Sequence, residues 1–287
     1  MVPADLLILE GSDMKSALII GAGLMGGSLA LALKSKAGFE RVLVMDTQPD
    51  TALWEAAGLI AGTLQDLPMV DLLVLATPIQ TMAPILTEAA LTLCPHTLIM
   101  DLASTKSRLI ESVRPILGAH LSRFVPTHPI CGKETSGFCA AEATLFQDQP
   151  VIVTPLPHET DPEALSQIKQ LWQTLGARVF EMSPNEHDAA YGKFSHLSNL
   201  LSFLLKKQET TPPQLSGDLL PPSFKAMTHL ADSSPVMWRD ICLSNPHFIL
   251  EALSQFEGDL KHLKHLIEVG DKDTLLHWFH TAGGSSL

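Results

Sequence analysis

The sequence predicts an α/β fold in which a doubly wound parallel sheet is followed by an all-α domain. Short apolar, β-branched runs alternate with helix-like stretches through the first two thirds of the chain, the pattern of a parallel sheet covered on both faces. A glycine-rich loop joins the first such run to the first such stretch. Beyond residue 184 helical spacing takes over and no convincing strand remains.

In order, Ser16–Ile20, Arg41–Met45, Asp71–Ala76, Thr97–Met100, Pro150–Thr154 and Arg178–Met182 read as buried strands. Helices are expected at Leu24–Lys36, Thr51–Leu59, Ile79–Leu93, Lys106–Leu117 and Asp161–Leu175. Ser183-Pro184 is a helix start, with a capping serine and proline in the first turn. After it, Glu186–Lys207, Ser223–His229, Pro235–Leu243, Pro246–Val269 and Asp273–His280 read as helices. Lys207–Pro222, rich in Pro and Thr, reads as a loop. In the longest helix Ala252, Phe256, Leu260, Leu263 and Ile267 recur at helical spacing as one apolar stripe. The expected domains are therefore residues 1–184 and 185–287.

Composition narrows the function. The 287 residues are 46% hydrophobic and 17% charged, which favours a sizeable core over disorder. A net charge of −12 lacks the basic face that a nucleic acid or an anionic membrane needs. A small anionic substrate remains compatible, because a few local cations suffice to hold one. Cys94, Cys131, Cys139 and Cys242 form no C-x-x-C pair, so neither a zinc site nor a disulfide framework is expected. Free thiols fit a reducing cytoplasm. No apolar run approaches the roughly 18–20 residues of a membrane span, and the first 13 residues carry no signal-peptide pattern. His262 with His265, and His277 with His280, lack carboxylate or cysteine companions and read as a solvated face, not a metal site. Cys131, Trp54, Trp172 and Trp278 read as packing residues.

The loop Gly21-Ala22-Gly23-Leu24-Met25-Gly26 follows the first strand and opens the first helix. In that context a GxGxxG pattern is the fingerprint of a Rossmann-type dinucleotide site. Gly21 permits the tight turn, Gly23 admits the pyrophosphate to the helix N-terminus, and Gly26 lets helix and strand approach. Asp46 ends the second strand, where a carboxylate binds the adenosine ribose hydroxyls. Thr47, Gln48 and Pro49 follow it without a cation, which favours NAD over NADP. Thr77-Pro78 ends the third strand and is either a cofactor contact or a simple turn.

Two later strand ends carry candidate chemistry: Asp101–Lys106 (DLASTK) and Thr127–Gly137 (THPICGKETSG). Hydride removal from an alcohol carbon needs an acceptor for the hydroxyl proton, and histidine titrates near neutrality. His128 is the best placed, with Ser104 to orient it or to bond the same hydroxyl. On spacing alone a structural histidine capping a loop is an equal reading.

Taken in order, Gly21–Gly26, DLASTK, His128–Gly137, Ser195-His196-Leu197 and Pro235–Ile241 (PVMWRDI) resemble the motifs of prephenate and arogenate dehydrogenases over nearly the whole chain. The resemblance implies NAD-dependent oxidative decarboxylation of prephenate or arogenate in tyrosine biosynthesis. It also implies a Rossmann-type domain followed by an all-α dimerisation domain, a homodimer formed through the helical half, and an active site between the two domains. By the same resemblance His128 is the catalytic histidine and Ser104 its serine neighbour. His196 and Glu134 are then substrate-pocket residues, and Trp238 lies near pocket and dimer contact.

One stretch departs from the family. Its Phe-(Arg/Lys)-Asp-x-(Thr/Ser)-Arg pattern is here Phe224-Lys225-Ala226-Met227-Thr228-His229. His229 stands where an arginine binds a substrate carboxylate, and a histidine offers neither the bidentate fork nor a permanent charge. Lys133, Lys225 or Arg239 is expected to supply the cation, or the substrate differs. Two other readings stay open: a β-hydroxyacid or 6-phosphogluconate-type dehydrogenase using Lys193, and a non-catalytic NAD-binding regulator.

Overall fold

The computed structural model of the chain describes residues 14–133, 135–210 and 220–283. The first half runs β1 (Ser16–Ile20), α1 (Leu24–Lys36), β2 (Arg41–Met45), α2 (Thr51–Ala56), β3 (Ile60–Ala61), β4 (Leu72–Leu75), α3 (Ile79–Ala89), β5 (Leu98–Asp101) and α4 (Ser107–Leu117). It continues with β6 (Thr127–Pro129), β7 (Pro150–Val153), α5 (Pro162–Thr174) and β8 (Arg178–Glu181). Five parallel strands lie in the order β3-β2-β1-β4-β5. The chain changes direction between β1 and β4, so their carboxyl ends open a crevice, the usual ligand site of such sheets.

The unbroken apolar runs of β1, β2, β4 and β5 follow from burial on both faces, whereas β8, expected as a buried strand, is an edge strand that is mostly exposed. Ala17, Ile19, Val42, Val44, Leu72, Val74, Leu98 and Met100 join one core layer, with Trp54, Phe146 and Trp172. Their neighbours Leu18, Ile20, Leu43, Leu73, Leu75 and Ile99 join the other, with Leu109, Val113 and Phe124. The strand period of two splits each run between the layers.

A smaller sheet, β6-β7-β8, extends this one through a bridge between Ile99 and Phe124. β8 is parallel to β7, but β6 is antiparallel to it. The expected parallel order holds for the five-stranded sheet, and β6 adds an antiparallel edge that the sequence did not predict. Its Thr-His-Pro core carries no apolar run, and β3 is only two residues long.

The second half contains α6 (Pro184–Tyr191), α7 (Leu197–Lys206), α8 (Pro222–Thr228), α9 (Pro235–Ser244), α10 (Pro246–Val269) and α11 (Lys272–Ala282). Ser183 opens it with a capping box: its Oγ accepts from the Glu186 amide at 3.2 Å, and Glu186 Oε2 accepts from the Ser183 amide at 2.8 Å. The single helix expected at Glu186–Lys207 is instead interrupted by a π-helical turn over Gly192–His196. Gly192 faces α10 there, where a Cβ would meet Phe248 Cβ at 3.0 Å. Such an extra residue per turn shifts which side chains face inward. Of the expected loop Lys207–Pro222, Lys207–Thr210 forms a 3₁₀ turn, and residues 211–219 lie outside the described residues. In α10 Ala252 is buried, whereas Leu260 and Ile267 of the expected stripe are exposed.

Trp172 is fully buried and meets Phe146 edge-on at 5.1 Å. Trp172→Ala is expected to destabilise the chain by about 3–5 kcal/mol, seen as a lower urea midpoint.

Candidate active site

The glycine loop is shaped by close approach. Gly21 has φ +102°, and a Cβ there would lie 2.6 Å from the Ala76 carbonyl. A Cβ on Gly26 would lie 1.9 Å from Gly21 O. At Gly23 a Cβ would meet nothing within 4 Å, so the loop borders open space where a phosphate group fits against the start of α1. Asp46 Oδ2 accepts from the Ala22 amide at 2.7 Å, and its Oδ1 from the Gln48 amide at 3.0 Å. These bonds tie the end of β2 to the loop. Gly21, Asp46, Thr77 and Pro78 line a cavity of about 570 Å³. Thr77 and Pro78 also wall a second cavity, of about 310 Å³, with Met25 and Ser104 on one side and Val236, Met237 and Asp240 of α9 on the other. Leu24 packs against the core beside it. A crevice therefore runs from the end of β2, past the glycine loop, to the junction with the helical half.

Ser104 follows β5, is half-buried, and its hydroxyl has no hydrogen-bond partner among the described residues. His128, on β6, is held from behind: its Nδ1 lies 2.8 Å from His187 Nε2, and His187 Nδ1 lies 2.8 Å from Asp188 Oδ1. Tyr191 stacks on His187 at 4.6 Å and tilts against His128 at 5.1 Å. The Asp188 carboxylate takes the amides of Lys106 at 2.9 Å and Ser107 at 2.8 Å, at the start of α4. Burial raises the Asp188 pKa, but the His187 bond and these amides outweigh it and hold the carboxyl below its usual range. Burial, then the neighbouring His187, Lys106 and His196, push His128 well below 6.5. Lys106 is itself buried, bonded to Asp101 and to Thr127 O at 2.6 Å.

From the helical half His196, buried in the π-helical turn, faces Trp238 edge-on at 6.0 Å, and its Nδ1 is 3.4 Å from Asn245 Nδ2. Burial pushes its pKa down to about 4. Trp238 is buried in α9 and donates to Ser233 Oγ at 2.7 Å. The candidate cations are dispersed. Lys133 pairs with Glu142 at 2.7 Å and Arg239 with Asp240 at 2.7 Å. Lys225, exposed on α8, has no ion pair among the described residues. His229 is exposed, with its Nδ1 donating to Ala226 O at 2.6 Å. Glu134 lies outside the described residues. Burial raises the Cys131 thiol to about 11, and its side chain packs against the core.

Sequence reasoning missed His187 and Asp188. They sit in the first turns of the helix that Ser183 opens, so a titratable pair beside a domain junction was the available signal. Nothing local linked them to His128, which is 59 positions away from His187. Asp101 and Lys106 were inside a quoted motif, but their mutual burial was not readable from it.

Residues 29–181 match the family described as prephenate dehydrogenase, nucleotide-binding domain, and residues 183–281 match prephenate dehydrogenase, dimerization domain. The chain belongs to the prephenate dehydrogenase family. It is 31% identical to the prephenate dehydrogenase of Bacillus subtilis, over 94% of this chain and 75% of that one. It is 32% identical to the cyclohexadienyl dehydrogenase of Zymomonas mobilis, over 92% of both. Among solved structures, prephenate dehydrogenase from Aquifex aeolicus in complex with hydroxyphenyl propionate and NAD+ superposes with a TM-score of 0.86. That pair is 31% identical and covers 94% of this chain and 96% of that one. No helix among the described residues is long and apolar enough to cross a membrane.

For this member of the family, a buried neutral His196 ties stability to pH. Its folded pKa is depressed, so the unfolded chain gains the proton first on acidification. Stability should fall as pH drops from 6.5 to about 4. The urea midpoint followed over that range should decline less steeply in His196→Gln.

Proposed function

We propose that the chain oxidatively decarboxylates prephenate, or its amino counterpart arogenate, with NAD as hydride acceptor. We further propose a cytoplasmic homodimer joined through the helical half. In this reading residues 1–184 bind the dinucleotide and residues 185–287 close the substrate pocket and form the dimer. The observation that carries it is the crevice in which Thr77 and Pro78 wall both the Asp46 cavity and the Ser104 cavity facing α9. Four free cysteines fit a reducing compartment. Exposed Leu250, Leu260, Ile267, Leu276 and Phe279 on α10 and α11 fit a covered face in a dimer.

The residues present fit a dinucleotide. Gly21, Gly23, Leu24, Met25 and Gly26 would hold its pyrophosphate, Asp46 its adenosine ribose, and Thr77 and Pro78 the stretch toward the nicotinamide. NAD would accept the hydride from the ring carbinol. His128 Nε2 accepts the hydroxyl proton, and Ser104 donates to the same oxygen. The oxidised ring is a vinylogous β-keto acid, so its carboxylate leaves as CO₂ and the ring becomes aromatic. The proton on His128 then returns to the phenolate oxygen. His196 and Trp238 bound the ring. Of the three candidate cations Lys225 alone has no ion pair among the described residues, whereas Lys133 and Arg239 are paired. Exposed His229 adds little permanent charge. The lysine-based alternative is disfavoured, since Lys193 is exposed beside the Phe194 ring, 5.7 Å from its centroid.

NADH formation with prephenate and with arogenate, offered with NAD or NADP, tests the reading, and no turnover on either substrate overturns it. The base must be neutral to act, and His128 is depressed, so kcat/KM should stay level through neutrality. It should fall only on acidification below pH 6.5, the ordinary histidine range. Gly23→Val, whose Cβ meets nothing within 4 Å among the described residues, should leave the melting temperature intact yet weaken NAD binding about tenfold or more by filling the phosphate's space. Titration of intrinsic fluorescence would read this.

A further inference from the structure

His128 accepts a proton only if the nitrogen facing the substrate carries a lone pair. A neutral imidazole has one nitrogen of each kind, and the partner of one decides the other. The hydrogen bonds behind His128 carry that decision. Asp188 Oδ1 takes the Lys106 amide at 2.9 Å and Oδ2 takes the Ser107 amide at 2.8 Å. Backbone N–H groups only donate, so both carboxylate oxygens are acceptors. His187 Nδ1, 2.8 Å from the same Oδ1, must therefore carry its proton. His187 is buried, and burial holds it neutral against the pull of Asp188, which leaves Nε2 as an acceptor. Nδ1 of His128, 2.8 Å from that Nε2, must then be the donor.

We infer that Asp188 and His187 are positioning residues that fix His128 as the Nδ1–H tautomer, with the Nε2 lone pair turned to the substrate hydroxyl. The inference rests on the reading of His128 as the proton acceptor. His128 Nε2 has no hydrogen-bond partner among the described residues, as a base awaiting substrate requires. The other groups around His128 do not compete for Nδ1. Lys106 is engaged by Asp101 and Thr127 O, Tyr191 meets His128 as a tilted ring contact, and His196 faces Trp238 and Asn245. When Nε2 takes the proton, the Nδ1–H to Nε2 and Nδ1–H to carboxylate bonds run in one direction toward Asp188. The positive charge thus meets an aligned row of acceptors. His187 and Asp188 belong to the helical half and His128 to the first, so the base is set correctly only when the halves are assembled.

The test uses the full-length protein with NAD. In ¹⁵N-histidine spectra at pH 7.5, with His128 identified by its loss in His128→Asn, the expected signal is a neutral ring protonated at Nδ1. A ring protonated at Nε2 overturns the inference, and this readout needs no His187 variant to fold. His187→Leu should lower kcat about 10²–10⁴-fold, the range of a lost proton acceptor, with KM for prephenate changed by less than about threefold. His187→Gln, whose amide oxygen accepts near the position of Nε2, should recover most of that loss. A parental kcat in His187→Leu, or a Gln variant no better than Leu, overturns the inference. Full turnover in His128→Asn instead overturns the reading of His128 as the base.

Discussion

The carboxylate of Asp188 is the point on which the two halves of the chain depend. It rises from the first turns of α6 and takes the amides of Lys106 and Ser107, the unsatisfied donors at the start of α4. A negative charge there also meets the positive end of the α4 dipole. The backbone carbonyl of the same residue accepts from Asn245 Nδ2 at 2.8 Å, which brings in the junction of α9 and α10. Thr105 Oγ1 to Ser244 Oγ at 2.8 Å and Arg108 to Leu243 O at 2.8 Å complete the seam. The loop after β5 is thereby held on one side by the sheet and on the other by the helical half, and Ser104 lies in that loop.

Buried charge organises the same region at a cost. Asp101 and Lys106 are both fully buried and paired. Burial drives the carboxyl up and the ammonium down, each toward its neutral form, while their contact opposes both shifts. Pairs of this kind contribute little net stability compared with apolar packing, but losing one partner is expensive. Here Lys106 also reaches Thr127 O, and Thr127 Oγ1 donates to Asp101 O at 2.5 Å. The pair therefore sets the spacing between the end of β5 and β6, and hence between Ser104 and His128.

Much of this was legible in the sequence because the responsible forces are local. Strand runs such as Arg41–Met45 announce themselves by composition, Ser183 and Glu186 by cap spacing, and the nucleotide loop by its glycine spacing, with Gly21 in a turn that favours glycine. The break inside Glu186–Lys207 was not legible, because a π-helical turn answers to packing of Gly192 on Phe248, a long-range contact. β6 was missed because its pairing, not its residues, makes it a strand. The site divided the same way. His128 and Ser104 stood out by residue type at strand ends, whereas His187 and Asp188 matter only through what they touch.

The shared wall formed by Thr77 and Pro78 has a consequence of a different kind. One dipeptide borders both cavities, and Pro78 also stands at the N-terminal cap of α3. Drift at this point would alter two molecular fits and a helix start together, so a change that improved one would carry the others with it. Diversification in such a protein has more freedom at places bordering one compartment alone, of which α9 with Val236 and Met237 is the clearest. New substrate preferences are more readily acquired from that side than from the sheet.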